Sequence, residues 1–308
     1  MELYIKGVGI LSAAGSNADE DFLQQKEKAE NFLCKEPDYK AYISPMQLRR
    51  MSKAVRMGIG ASKIALQQAG IEKPDAISIG TAMGCLNDTE IFLNKMVEQQ
   101  EQMLTPTAFI QSTHNTVGGQ IALLHACNGH NLTYVHRGHS FEQAMLNAYL
   151  YLQQHPEENM LVGGIDELTP TSEAILKRFG IENNGEGASF FVITSNAENE
   201  VCIKDIHCFT TNDKDETAKQ INNFLQRNND KIDLAILGGE NEIYSSLTND
   251  FFADTSCKPF KNLCGEYGTA AAFGLGVIVE LMKKNDLKNV VMVNNCGDSW
   301  GLWRIVKN

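Results

Sequence analysis

Short apolar runs alternate with stretches of helical periodicity along this chain, and after residue 194 the alternation starts again. The runs LYIKGVGIL, AISIGTA, LTYVH and MLVGGI have the length of buried strands, and the spacing between them predicts helices over residues 52–69, 118–125 and 140–154. A return strand over 188–194 follows. The second series reads VCIKDIHCF, a helix over 216–227, LAILGG, a helix over 268–283, and VVMVNNCG facing LWRIVK. Strands interleaved with helices define an α/β protein. ENMLVGGIDEL followed by GASFFVITS in the first series has a counterpart in KNVVMVNNCGDS followed by WGLWRIVK in the second, each a strand, a glycine turn and a return strand. The expectation is a duplicated unit, residues 1–196 and 197–308. The one long unpatterned polar stretch, 210–216, has no linker character, so the two copies should form one compact body.

Composition narrows the function. A chain of 308 residues with 43% hydrophobic and 21% charged residues can bury a large core. Its net charge of −11 comes with no basic cluster on the scale of a phosphate-backbone footprint, which argues against nucleic acid and against unassisted binding to anionic membranes. No apolar run approaches the roughly 20 residues of a membrane span, and MELYIKGVGILSAAG has a strand pattern without a cationic leader, so a cytoplasmic protein is expected. The eight cysteines are scattered with no CxxC pair, which fits reduced, mostly buried thiols. His136 and His139 in HRGH have a spacing that can ligate a metal, but the sequence indicates no further ligands. No metal and no cofactor is expected.

Several segments carry a family resemblance. KGVGILSAAGSN resembles the first strand and glycine turn of β-ketoacyl synthases, and RRMSKAVRMGIGASKIALQQAGI their first long helix. AISIGTAMG, TPTAFIQSTHNTVGGQIALLHACNGHNLTYVH, MLVGGIDE and GEGASFFVI follow in the family's order. The resemblance implies a thiolase-like fold, two duplicated βαβαβ halves in a layered αβαβα arrangement, and a dimer with active-site pockets near its interface. It also implies a cysteine nucleophile at a strand-to-helix elbow and two histidines that stabilise the carbanion and oxyanion of a decarboxylative condensation.

All three catalytic groups are replaced. TYVHRGHSFEQAM aligned on the elbow puts Gly138 at the cysteine position, with Ser140 and Ala144 matching the family. LAILGGENE puts Gly238 at the first histidine, and KNLCGE keeps Lys261 and Gly265 but has Glu266 at the second. No histidine occurs after His207, so an alignment slip cannot restore either one. A carboxylate at Glu266 would repel a developing oxyanion. The closing Gly-Phe-Gly-Gly loop of the family reads NNCGDSWGLW here.

The resemblance therefore implies a chain-length-factor-like, non-catalytic subunit that pairs with an active ketosynthase in fatty acid, polyketide or aryl-polyene synthesis. Its interface is expected at LTYVH and the neighbouring helices, with an area well above the roughly 1,600 Å² of a standard complex. Pairing with itself is the alternative assembly. Residues expected around the remnant pocket are His136, His139, Ser140, Lys261 and Cys296. Two other readings stay open. One is a diverged acyltransferase using Ser140, Cys85 or Cys264, with His139 or His136 as base. The other is a module that binds an acyl carrier protein through Arg49, Arg50, Lys53 and Arg56, spaced i, i+1, i+4 and i+7 on one helix.

Overall fold

The computed structural model describes residues 2–19, 22–23, 32–49, 51–198, 200–228 and 230–307. The first half of the chain runs β1 (Leu3–Ser12), β2 (Gly15–Ser16), α1 (Pro45–Leu48), α2 (Lys53–Ala69), β3 (Ala76–Gly80), α3 (Leu86–Glu98), α4 (Pro106–Gln111), α5 (Thr116–His125), β4 (Asn131–Tyr134), α6 (Ser140–Gln154), β5 (Met160–Asp166), α7 (Pro170–Arg178) and β6 (Gly187–Thr194). The second half runs β7 (Val201–Thr210), α8 (Lys214–Gln226), β8 (Leu234–Leu237), α9 (Glu242–Phe251), β9 (Ser256–Pro259), α10 (Lys261–Cys264), α11 (Ala270–Lys284), β10 (Asn289–Cys296) and β11 (Ser299–Lys307).

Strand order exposes the duplication. The sheet reads β4-β3-β5-β6-β1 and then β7-β11-β10-β8-β9, with β2 hairpinned onto β1. In each five-strand array three strands are parallel (β4, β3, β5; β9, β8, β10) and two close the array antiparallel. The β5–β6 and β10–β11 pairs, the segments expected to be counterparts, hold equivalent places. The arrays meet only where Leu3 and Tyr4 pair with Ile203 and Cys202.

Three apolar clusters set the layers. The largest gathers Ala144 and Ala148 of α6, Phe273 and Ile278 of α11, and strand residues of both arrays such as Ile10, Phe191, Ile236 and Trp303. Twelve of the fifteen residues of α11 are buried, as a helix apolar on all sides requires when it lies between two sheets. A second cluster lies under α2 and α5, and a third under α8 and α9. Glycines allow the tightest of these contacts: a Cβ on Gly9 would stand 2.0 Å from the Ala61 carbonyl oxygen, so only glycine lets α2 lie this close to β1.

The predicted helices are present within two residues of their expected ends. The four basic residues do not share one helix, however. Arg49 is the C-cap of α1, Ser52 is extended at ψ 169° as the N-cap of α2, and Lys53 opens the next helix. Arg50 lies outside the described residues.

Candidate functional site: a filled ketosynthase pocket

The elbow keeps its backbone. From β4 the chain makes one turn of 3₁₀ helix, Arg137–His139, and enters α6 at Ser140. Arg137 takes the left-handed conformation at φ 48°. The Ser140 hydroxyl accepts from the His136 amide at 2.8 Å and donates to the Arg137 carbonyl at 2.8 Å. Both of its bonds go to the turn, and neither goes to an imidazole, so Ser140 shapes the elbow and has no base to activate it.

The space beside Gly138 is occupied. A Cβ built there would stand 2.8 Å from Cys296 Cβ and 2.9 Å from Ser299 Cβ, both too close for any side chain. These two residues close the β10–β11 hairpin, paired across the two-residue turn Gly297–Asp298. The tip is held on several sides: Tyr244 Oη accepts from the Asn295 amide at 2.9 Å, the Thr211 amide donates to the Asp298 carbonyl at 2.9 Å, and Lys261 Nζ bonds the Asn295 carbonyl. The segment at the family's gate is thus a fixed plug.

The first histidine position is filled in the same way. A Cβ on Gly238 would meet the Tyr244 hydroxyl at 2.2 Å. At the second, Glu266 receives Lys261 Nζ on both carboxylate oxygens, at 2.9 and 2.7 Å. Burial works against the charge on Lys261, but Glu266 together with Tyr244 and Cys296 outweighs it and holds the pKa above the ordinary lysine value. A cavity of about 390 Å³ remains here, lined by Lys261, Glu266, Glu240, Glu182 and several asparagines. Phe32, Ile181 and Tyr244 add apolar surface to its lining.

Burial acts on three candidate thiols, Cys85 and Cys264 of the alternative nucleophiles and Cys296 of the expected pocket residues. It pushes the Cys85 thiol up to about 12, helped by Glu167 and Asp88, and the Cys296 thiol up to about 12, helped by Glu266. Cys264, also buried, is raised well above the usual thiol range. None of the three presents a thiolate at neutral pH. His139 is buried with Nε2 on the Trp300 carbonyl at 3.1 Å, and desolvation lowers its pKa. His136 is exposed and stacks on the His139 ring at 5.9 Å. Among the described residues no group of three or more His, Cys, Asp or Glu side chains is placed to hold a metal ion.

Lys53 and Arg56, two of the four basic candidates, point inward. Lys53 pairs with the buried Glu186, which also accepts from the Cys34 and Leu168 amides, and Arg56 pairs with Glu36 at 3.2 Å and caps the Met51 carbonyl at 3.0 Å. Arg49 alone of the described three is exposed.

Three contributors escaped sequence reading: Tyr244, Ser299 and Glu142. Glu142 is wholly buried in the first turn of α6, with Oε1 3.4 Å from Trp303 Nε1 and Oε2 without a partner. Burial pushes its pKa up to about 7. An acidic side chain in the first turn of a helix is ordinary, so nothing in the sequence signals the burial of Glu142.

A five-layered, duplicated α/β body with a strand-to-helix elbow at its centre defines the thiolase-like class. The family described as "Beta-ketoacyl synthase, N-terminal domain" matches residues 23–237, and the chain belongs to that family. No curated protein sequence matches it. Among solved structures, it resembles the ishigamide ketosynthase/chain length factor with a TM-score of 0.84 at 14% identity, covering 100% of this chain and 99% of that one. A type II polyketide ketosynthase in complex with its acyl-carrier protein gives 0.82 at 14% identity with the same coverage. The ketosynthase ApeO in complex with its chain length factor ApeC from Xenorhabdus doucetiae gives 0.77 at 14% identity, covering 99% and 98%. At such identities the likeness establishes the fold.

Proposed function

We propose that this protein is a non-catalytic, chain-length-factor-like subunit that pairs with an active ketosynthase. One observation carries the reading: the nucleophile position is glycine, and the hairpin tip of Cys296 and Ser299 fills the room a cysteine would need. The surface supports an assembly. β4 ends the first array with an unpaired edge, and exposed apolar side chains cluster on it and its neighbours: Leu132 and Val135 on and after β4, Leu123 on α5, Phe109 and Ile110 on α4. A second thiolase-like chain bringing its own edge strand fits such a face, with more than roughly 1,600 Å² buried.

The duplicated strand order supports reading residues 1–196 and 197–308 as two copies of one unit. The eight cysteines are all unpaired, which supports a reducing compartment such as the cytoplasm. The partner would supply cysteine and histidines for fatty acid, polyketide or aryl-polyene chain extension, and an acyl carrier protein would dock mainly on that partner, since Lys53 and Arg56 are engaged internally here.

Purifying the tagged protein from its native cells and identifying stoichiometric companions tests this. A co-purifying ketosynthase with an intact triad is the expected result. A lone homodimer that becomes acylated on Ser140 or a cysteine would overturn it.

A further inference from the structure

A second cavity lies in the cleft between α8 and α9, beside the β10–β11 hairpin, with Asn295 shared between its lining and that of the first. Its volume is about 170 Å³, that of five or six waters at roughly 30 Å³ each. It exists because the facing wall positions are small: Ala218 on α8 and Ser246 on α9. Trp300 and Leu247, both almost fully buried, also line it, and Ile243 stands at its lip. Ile243 is the one large apolar side chain exposed among the described residues beyond 181, so an apolar lip here stands out against an otherwise polar surface.

The rim carries both charge signs. Lys214 and Glu242 are exposed and make no ion pair with any described residue, while Asp250 accepts from Ser246 at 3.0 Å. An apolar floor with one free ammonium and free carboxylate at the mouth matches a small molecule with an apolar body and a zwitterionic head. We propose that this cleft binds a free α-amino acid with an aliphatic side chain of leucine size. The side chain lies on Trp300 and Leu247, its carboxylate faces Lys214 and its ammonium faces Glu242. The site does not depend on the subunit reading above: no residue of the elbow lines it, although Asn295, Gly297 and Trp300 belong to the hairpin whose tip lies against Gly138.

Calorimetric titration of the full-length protein with L-leucine tests it, with indole NMR of Trp300 as a second readout, because Trp300 Nε1 donates at 3.2 Å to the carbonyl of Thr211, itself a lining residue. Saturable binding that shifts the Trp300 indole signal and leaves that of Trp303 in place is expected. Ala218→Leu, which fills the space, should abolish binding, and the surface changes Lys214→Ala and Glu242→Gln should each weaken it at least tenfold with the melting temperature unchanged. Absence of binding at 10 mM leucine, on the order of the weakest physiologically useful affinity, overturns the proposal. So does equal affinity for isopentylamine or isovalerate, or binding retained in the two rim variants.

Discussion

The two halves of this molecule share a strand order and differ in what they show to solvent. Large exposed apolar side chains run from Leu33 to Ile181 in the first half, including Ile91, Val97, Phe109, Leu132 and Phe179, and the second half has Ile243 alone among the described residues. In the second half α8 packs Ile221 and Phe224 inward and turns Lys214, Asp215, Lys219 and Gln226 outward. In the first, α3 and α7 bury no residue fully while exposing Ile91, Leu93, Val97 and Ile175. One architecture can evidently be closed off with polar surface, so the apolar face of the first half is no by-product of the fold. Under the proposed function it marks the side that another chain covers.

The strongest challenge to this contrast is the core the halves share. Phe141 stacks on Trp303 of the second half at 5.4 Å and meets Phe191 of the first at 5.7 Å. Phe141→Ala should cost about 3–5 kcal/mol in denaturant unfolding and lower the stability of both halves in one transition. Two separate transitions would show that the halves fold independently. Next comes the surface itself. Leu132→Asp should weaken association with the ketosynthase partner roughly 100-fold, while Ile243→Asp leaves it unchanged. Equal losses would mean that the asymmetry of exposure does not locate the interface.

A third test concerns the point where the second half invades the first. Gly138→Ala should destabilise by about 1–3 kcal/mol through contact with Cys296 and Ser299. Gly119→Ala, on α5 with open space around its Cβ position, should be neutral or stabilising by about 0.5–1 kcal/mol. The last test is pH-dependent and lies at Glu142, which joins α6 to β11. Its folded pKa is raised from 4.5 to about 7, so ionisation costs the fold nothing below about pH 4.5, progressively more as pH rises, and the full amount above about 7. Between pH 5 and pH 8 the stability of Glu142→Gln relative to the native protein should therefore improve by about 2–3 kcal/mol, and an unchanged difference in thermal melts would deny the carboxylate this role.

Much of the scaffold was legible because its signals are local. The apolar runs of β1, β3, β5 and β10 are buried on both faces and announce themselves by composition. α6 and α11 carry periodicity or unbroken apolar character. α3, α4, α7 and α9 were not foreseen: α3 and α7 bury no side chain fully, so neither has the inward stripe that periodicity detects, and α9 fully buries only Tyr244 and Leu247. The alignment of Gly138, Gly238 and Glu266 with the family's triad, and with it the proposal of an empty site, could be drawn from the sequence. What filled it could not, because Cys296 and Ser299 reach Gly138 from the far end of the chain and Tyr244 folds back onto Gly238 from the following helix. The basic run failed for a related reason: sequence spacing put Arg49 to Arg56 on one surface, whereas the break at Ser52 and the buried Glu186 divide them.

The two-residue turn at Gly297–Asp298 also constrains this protein's evolutionary future. A single codon change can turn Gly138 back into cysteine, but the returning side chain would collide with the hairpin before it met any substrate, and the histidine positions would still hold Tyr244 and a Lys261–Glu266 pair. Each reversion taken alone would meet an occupied position, and room for a side chain at Gly138 would require the hairpin to shift. On the proposed reading the loss of chemistry is hard to reverse, because contacts from elsewhere in the chain occupy the space beside Gly138 and Gly238.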